Sequence, residues 1–257
     1  MKISQISKGY TKINRYRKII RTLVRYGFDD LVDRLKVEYY LKFGKRFYPK
    51  VKKKESEIRL TRPQRIRMVL EELGPTFIKL GQILSMKPDI IPFDYLEEFK
   101  KLQDSATPFP YDIAKEIIET ELNRKVNDIF IHFPEKPIAA ASISQIYKAK
   151  LKNGKTVAVK VQRPSIKNMI NADIEILLDV AKILEARIPE SKFYDPVGIV
   201  KEFSEVMKKE MDFMNEGRNC VRFKANFEDD PDVYIPVSYT HLRAHETSLH
   251  LVCRLLL

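Results

Sequence analysis

Three groups of residues have types and spacings suited to handling a phosphate. After Pro75, Lys79 and Gln82 are three apart and so share one face of a helix. Gly81 lies between them, and Phe77, Ile78, Leu80, Ile83, Leu84 and Met86 surround them. A polar stripe this narrow is either a solvent edge or a finger pressed into a phosphate or carboxylate site. The second group is a run of small residues, Ala139-Ala140-Ala141-Ser142, followed within the second of two short alternating segments by Val157-Ala158-Val159-Lys160. Small residues let backbone N–H groups come close to a phosphate, and a lysine on a strand aims a fixed cation at the same place. The same pattern also describes a surface hairpin with a solvated lysine. The third group is acidic: Glu202, Glu205, Glu210, Asp212 and Glu216, with Asn219. Glu210 and Asp212, two apart, point in different directions, whereas Asp212 and Glu216, four apart, share a face. Such a run is either a charged helix surface or a source of acids for a buried lysine. A buried pair has to be matched, because removing one partner costs several kcal/mol.

These residues need elements to hold them. Ile20, Val24, Phe28, Leu31 and Leu35 recur at helical spacing, with Arg17, Arg21, Arg25 and Arg34 off the stripe. Gly74-Pro75 ends one helix and starts another, and Pro88 stops it. Short helices are expected over 92–102 and 111–122. Beyond Pro137 the period changes to two. Residues 144–151 and 155–161 alternate, and Asn153-Gly154 between them is a strong hairpin signal, suited to a type I′ turn with both residues at positive φ. Helix returns over 166–188, with Pro189 as its stop. Asp195-Pro196 is an N-cap and first-turn pair, expected to open one long helix running to Phe227.

The chain has 257 residues, 44% hydrophobic and 32% charged. That composition belongs to a soluble globular protein of one large or two modest domains. No run approaches 18 apolar residues, so no transmembrane helix is expected, and the N-terminus lacks the apolar run and cleavage site of a secretory leader. The two cysteines, Cys220 and Cys253, make no disulfide framework, so a reducing compartment is expected. Residues 1–70 hold 21 Lys/Arg against 6 Asp/Glu, and the remainder hold 26 against 29. The basicity thus belongs to an N-terminal arm, which disfavours a uniformly basic nucleic-acid binder and leaves a nucleic-acid-binding arm as a minor alternative; no nucleic-acid partner is expected. The connector at 45–54 is basic and aromatic. At an anionic bilayer each cation contributes about 1 kcal/mol, so residues 1–54 are a candidate for membrane-surface attachment. A solvated amphipathic helix packed on the body is the plainer alternative.

The last twenty residues differ from the rest. Residues 1–237 contain a single histidine, His132, while 238–257 contain His241, His245 and His250, no lysine and six leucines. The string SYTHLRAHETSLHLVCRLLL resembles translated sequencing-adapter read-through, and residues 238–257 are read as foreign to the frame before them. The histidines and Cys253 have spacings a zinc ion can use. The composition break removes that reading, and no metal site is expected.

Taken in order, the chain resembles the UbiB family of atypical protein-kinase-like proteins over residues 15–236. The resemblance rests on the KxGQ of Lys79-Leu80-Gly81-Gln82 within PTFIKLGQILSMKPDIIP, on Ala139-Ala140-Ala141-Ser142, on Lys160 with Val161-Gln162-Arg163-Pro164, and on the ExD of Glu210-Met211-Asp212. It implies an α+β fold: a protein-kinase-like N-lobe behind an N-terminal helical extension, with the C-lobe missing. It implies a basic helical arm over 1–70, a KxGQ extension over 71–135 and the N-lobe over 136–237. Ala139, Ala140, Ala141, Ser142 and Lys160 are then expected to bind ATP or ADP with Mg²⁺. Glu216 is expected to partner Lys160, with Glu210 as its rival, and Lys79 and Gln82 to meet Glu210 and Asp212. That arrangement favours ATP hydrolysis or phosphorylation of a small or lipid-like substrate in isoprenoid-quinone or lipid metabolism. The expected location is the cytoplasm, peripheral at the inner membrane. Kinases also need a catalytic-loop aspartate and a metal-holding aspartate. The chain contains neither Asp-Phe-Gly nor His-Pro-Gly-Asn, so the resemblance implies an N-terminal fragment that is inactive alone. A non-catalytic membrane or scaffold module with the same fold is the alternative.

Overall fold

Gly27 ends the first apolar stripe. Its φ of 77° is left-handed, where glycine carries no Cβ penalty. The stripe expected to run unbroken is therefore two helices, α1 (Lys2–Arg25) and α2 (Asp29–Leu35). The computed structural model describes residues 2–35, 60–102, 107–233, 235, 238–240 and 251–255, with backbone alone at 2–11, 34–35, 238–240 and 251–255. The basic connector at 45–54 and the three late histidines lie outside the described residues. The helices that follow are α3 (Arg62–Leu73), α4 (Pro75–Leu84), α5 (Phe93–Phe99), α6 (Tyr111–Leu122) and α7 (Val126–Ile129). Strands β1 (Phe130–His132), β2 (Ala139–Ala140), β3 (Ser144–Leu151) and β4 (Thr156–Gln162) come next. Then come α8 (Ile166–Arg187), a 3₁₀ turn (Pro189–Tyr194), α9 (Pro196–Met211) and α10 (Phe213–Asn226), and last β5 (Ser238–Thr240) and β6 (Leu251–Leu255).

These elements form two compact units, Met1–Asp104 with Lys167–Glu205, and Ser105–Ile166 with Val206–Leu257. The first is helical. Tyr16, Ile19, Tyr26 and Phe28 share a core with Leu70 and Leu73 of α3, Phe77 of α4, Phe99 of α5, and Ile176 and Ile183 of α8. Three cations of α1 are engaged inside this unit. Lys12 pairs with Glu175 and Asp179, Arg15 with Asp173, and Arg25 with Glu72. The basic helix and α8, far apart in sequence, therefore belong to one body. Asp195 caps α9 as its sequence suggests, accepting from Gly198 N at 2.9 Å.

The second unit is built on an antiparallel sheet of order β1-β3-β4-β6-β5, with β2 also on β3. The β3–β4 hairpin forms, but not through the two-residue type I′ turn. Gly154 alone takes positive φ (84°), while Asn153 accepts from Lys155 N through Oδ1 at 3.1 Å. Leu151 N donates to Lys155 O at 2.9 Å. This is a three-residue loop with glycine at its left-handed position, the next most common hairpin solution. The expected long helix to Phe227 is also interrupted, at Asp212, whose φ of −91° and ψ of 81° are not helical. Short polar side chains offer the backbone an alternative to the helix ladder, and Asp212 does so here. Within 238–257, β6 pairs antiparallel with β4, and β5 with β6. An open strand edge recruits a partner through its backbone groups, whatever the side chains.

Candidate functional site

Strand β4 has two unlike faces. Val157, Val159 and Val161 are fully buried in a core with Tyr147, Ala149, Ile117 and Ile118. Alternation puts Ala158, Lys160 and Gln162 on the other face. The register sets Ala139 of β2 opposite Ile146 of β3, and Ile146 opposite Lys160 of β4. The three residues form one row across the sheet. Strands lie about 4.8 Å apart, so the small-residue segment and the lysine are about 10 Å apart on one face.

The Lys160 ammonium donates to Glu216 Oε2 at 2.8 Å. It also lies 4.4 Å from the centre of the Phe213 ring, which is completely buried. The Lys160 and Glu216 side chains keep 27% and 33% of their surface exposed, so one side of the pair remains open to solvent. Two further contacts fix the helix that carries Glu216. Gln162 is buried and donates through Nε2 to Met211 O at 3.1 Å, tying the end of α9 to β4. Asp212 then caps α10, accepting from Asn215 N at 2.9 Å. Glu216 sits one turn beyond that cap. The interruption at Asp212 thus starts the helix whose first turn brings an acid to Lys160. Asp212→Ala is expected to cost about 1 kcal/mol through loss of the cap, and Asp212→Asn a few tenths, because Asn caps about as well. Urea titrations of the two variants check this ordering.

The turn between β2 and β3 is residues 141–143. Ala141 N donates to Ser144 O at 2.8 Å, and Ser142 and Ser144 are buried. Arg163, directly after β4, reaches the same turn. Its N–H donates to Ile143 O at 2.9 Å, its Nε to Ala141 O at 3.1 Å, and its Nη2 to Thr107 O at 3.0 Å. Burial pushes its guanidinium downward, but arginine remains charged throughout the working range. Beneath the turn, Gln145 is fully buried on the core face. Its Oε1 accepts from Phe109 N, and its Nε2 donates to Phe109 O at 3.3 Å and to Tyr147 Oη at 2.7 Å. Desolvation pushes the Tyr147 phenol up, against the opposing hydrogen bond from Gln145.

Lys79, Gly81 and Gln82 lie on α4 in the first unit, whereas Glu210 and Asp212 fall in the second. Gly81 has a local packing reason. A Cβ there would come 2.3 Å from Leu102 Cδ1 and 2.8 Å from Leu70 Cδ1. Gln82 donates through Nε2 to Leu102 O at 3.1 Å. Two residues of the KxGQ segment therefore pack α4 against Leu102, three residues beyond α5. Glu210 sits on an exposed stretch of α9.

Reading by motif gave no role to Phe213, Gln162 or Gln145. Strand alternation carried a signal for Gln162 and Gln145, since a polar residue on a buried strand must find a partner. Phe213 followed Asp212 without any periodic cue. The open ammonium and the narrow turn of small residues fit a phosphate. Among the described residues no three acidic, histidine or cysteine side chains gather to hold a metal ion, so no step is assigned to a resident Mg²⁺.

A profile of the ABC1 atypical kinase-like domain matches residues 101–248. A protein described as probable protein kinase UbiB from Pseudomonas aeruginosa (strain LESB58) is 36% identical over 228 residues, covering 88% of this chain and 43% of that protein. Its counterpart from Xylella fastidiosa (strain 9a5c) is 38% identical over 225 residues, covering 87% of this chain and 40% of that protein. A solved complex of Rv3197 with erythromycin from Mycobacterium tuberculosis matches at 28% identity and a TM-score of 0.49, over 74% of this chain and 46% of that one. The chain spans about two fifths of the length of these curated relatives.

Proposed function

Because the chain belongs to the ABC1 atypical kinase-like family, we propose that Lys160, Glu216 and the 139–142 segment form the phosphate end of a site for ATP or ADP. The observation that carries this reading is the 2.8 Å Lys160–Glu216 pair, on the same sheet face as Ala139 and open on one side. A strand-borne ammonium neutralises phosphate oxygens through charge-assisted hydrogen bonds, and Glu216 holds it in place. Alanine in a phosphate-facing turn has fewer accessible backbone conformations than glycine, so the turn is stiff. Mg²⁺ enters as the counter-ion of the nucleotide.

The whole protein, on this reading, is an atypical kinase or ATPase acting on a small or lipid-like substrate in isoprenoid-quinone or lipid metabolism. It works in the cytoplasm, peripheral at the inner membrane. The names of the UbiB relatives support the kinase-like part of this reading. Lys12, Arg15 and Arg25 are engaged within the first unit, so attraction to an anionic surface falls to the other cations of residues 1–54. The 257-residue chain alone is expected to transfer no phosphoryl group, since it holds neither Asp-Phe-Gly nor His-Pro-Gly-Asn.

Thermal denaturation of the chain with ADP or with adenosine tests the reading. Ligand at a hundred times its Kd stabilises a protein by about 2.7 kcal/mol. ADP is expected to raise the melting temperature and adenosine to raise it far less. A chain indifferent to ADP overturns the reading.

A further inference from the structure

We propose that Arg163 is a positioning residue for the phosphate-facing turn, so that nucleotide affinity depends on its planar fork and not on its charge alone. This rests on the nucleotide reading above. The turn at 141–143 has few internal ties: within it, Ala141 N reaches Ser144 O. Arg163 supplies two more, one at each end, with its backbone on Ile143 O and its Nε on Ala141 O. Nη2 extends the clamp to Thr107 O, and the guanidinium lies 5.6 Å from the Phe109 ring centre. Phe109 is itself held at both backbone groups by the buried Gln145 amide. The segment at 107–109, the turn and the end of β4 are thereby joined through one side chain.

The partners of that side chain decide its role. Among the described residues Arg163 donates to carbonyl oxygens, not to a carboxylate, while Lys160, three residues earlier, has Glu216. A guanidinium is built for this task. Its donors are fixed in one plane, so binding two carbonyls at once sets the distance and angle between them. A lysine ammonium places the same charge but cannot hold both carbonyls in one plane. With the carbonyls of Ala141 and Thr107 drawn toward Arg163, the turn is held in one conformation, and the ordering cost otherwise met when a phosphate binds is already met.

The test compares Arg163→Lys and Arg163→Met with the unaltered 257-residue chain by titration calorimetry, using ADP and adenosine, with amide hydrogen exchange over 139–144 without ligand. Arg163→Met is expected to raise the Kd for ADP about tenfold, to leave any adenosine affinity within about twofold, and to speed exchange at Ala141–Ser144 amides. Arg163→Lys is expected to restore less than half of the lost ADP affinity in logarithmic terms. Full rescue by lysine means that charge alone acts and overturns the proposal. Unchanged exchange and unchanged ADP binding in Arg163→Met also overturn it. If the unaltered chain binds no ADP, the nucleotide reading fails. If the unaltered chain binds ADP and Lys160→Met does not, while Arg163→Met binds normally, this inference fails and the nucleotide reading stands.

Discussion

Lys160→Met is expected to remove the ADP-induced rise in melting temperature while shifting the melting temperature of the free protein by only a few degrees. Two different magnitudes lead to this split. In the free chain the Lys160–Glu216 pair is about a third exposed, and pairs of that kind contribute at most about 1 kcal/mol. The contact with the Phe213 ring adds about 0.5–1 kcal/mol. Methionine keeps most of the aliphatic packing, so the net loss in stability is small. A hydrogen bond to a charged group, by contrast, is worth about 1.5–3 kcal/mol, which is roughly 10- to 150-fold in Kd. Glu216→Gln is expected to weaken ADP binding less than Lys160→Met, because the ammonium stays and only its tether is lost. Calorimetric titration of both variants checks the order. Equal ADP binding by Lys160→Met and the unaltered chain would remove Lys160 from the site.

The largest expected effect on stability lies in the first unit. Asp173 is completely buried on α8, and Arg15 of α1 holds it with two bonds, Nε to Oδ1 at 2.5 Å and Nη2 to Oδ2 at 2.8 Å. The same Nη2 donates to Leu73 O at 2.7 Å, and the guanidinium lies 5.6 Å from the Phe77 ring centre. One side chain thus joins α1, α3 and α8. Arg15→Met leaves a carboxylate buried without its partner, and breaking such a pair costs about 3–5 kcal/mol. For a protein of this size that lowers the melting temperature on the order of 10 °C. The double variant Arg15→Met/Asp173→Leu is expected to recover part of the loss, since an apolar pair removes the stranded charge. Urea unfolding of the single and double variants measures the coupling. A single variant within 1 kcal/mol of the unaltered chain would mean that water reaches Asp173.

The sequence carried the parts of this structure that depend on short-range rules. The hairpin of β3 and β4 followed from alternation and Asn153-Gly154, and the start of α9 from Asp195-Pro196. The turn type did not follow, because a type I′ turn and a three-residue loop both place glycine at a left-handed position. Only the register between Leu151 and Lys155 decides between them. The break at Asp212 was hidden for a similar reason. Residues 196–226 contain no proline after Pro196, and their apolar spacing continues through the interruption. What stops the helix is a side chain competing with the ladder, helped by Gln162 taking the Met211 carbonyl from 49 residues away. Arg15 looked like one more cation on a basic helix, because its partner Asp173 is 158 residues distant. Net charge counted along the chain therefore overstated what a surface partner would meet. The resemblance paired Lys160 with Glu216, but their meeting depends on the Asp212 cap and the buried Gln162, which sit inside the quoted motifs with roles that no motif states.

Neither compact unit is a continuous stretch of chain. The polypeptide leaves the first at Asp104, returns at Lys167 and departs again after Glu205. No single cut releases either one whole. Severing the chain near residue 166 would leave the strand lysine on one piece and its acid on the other, 56 positions apart in sequence. A nascent polypeptide carries its lysine without this counter-charge until α10 has been made.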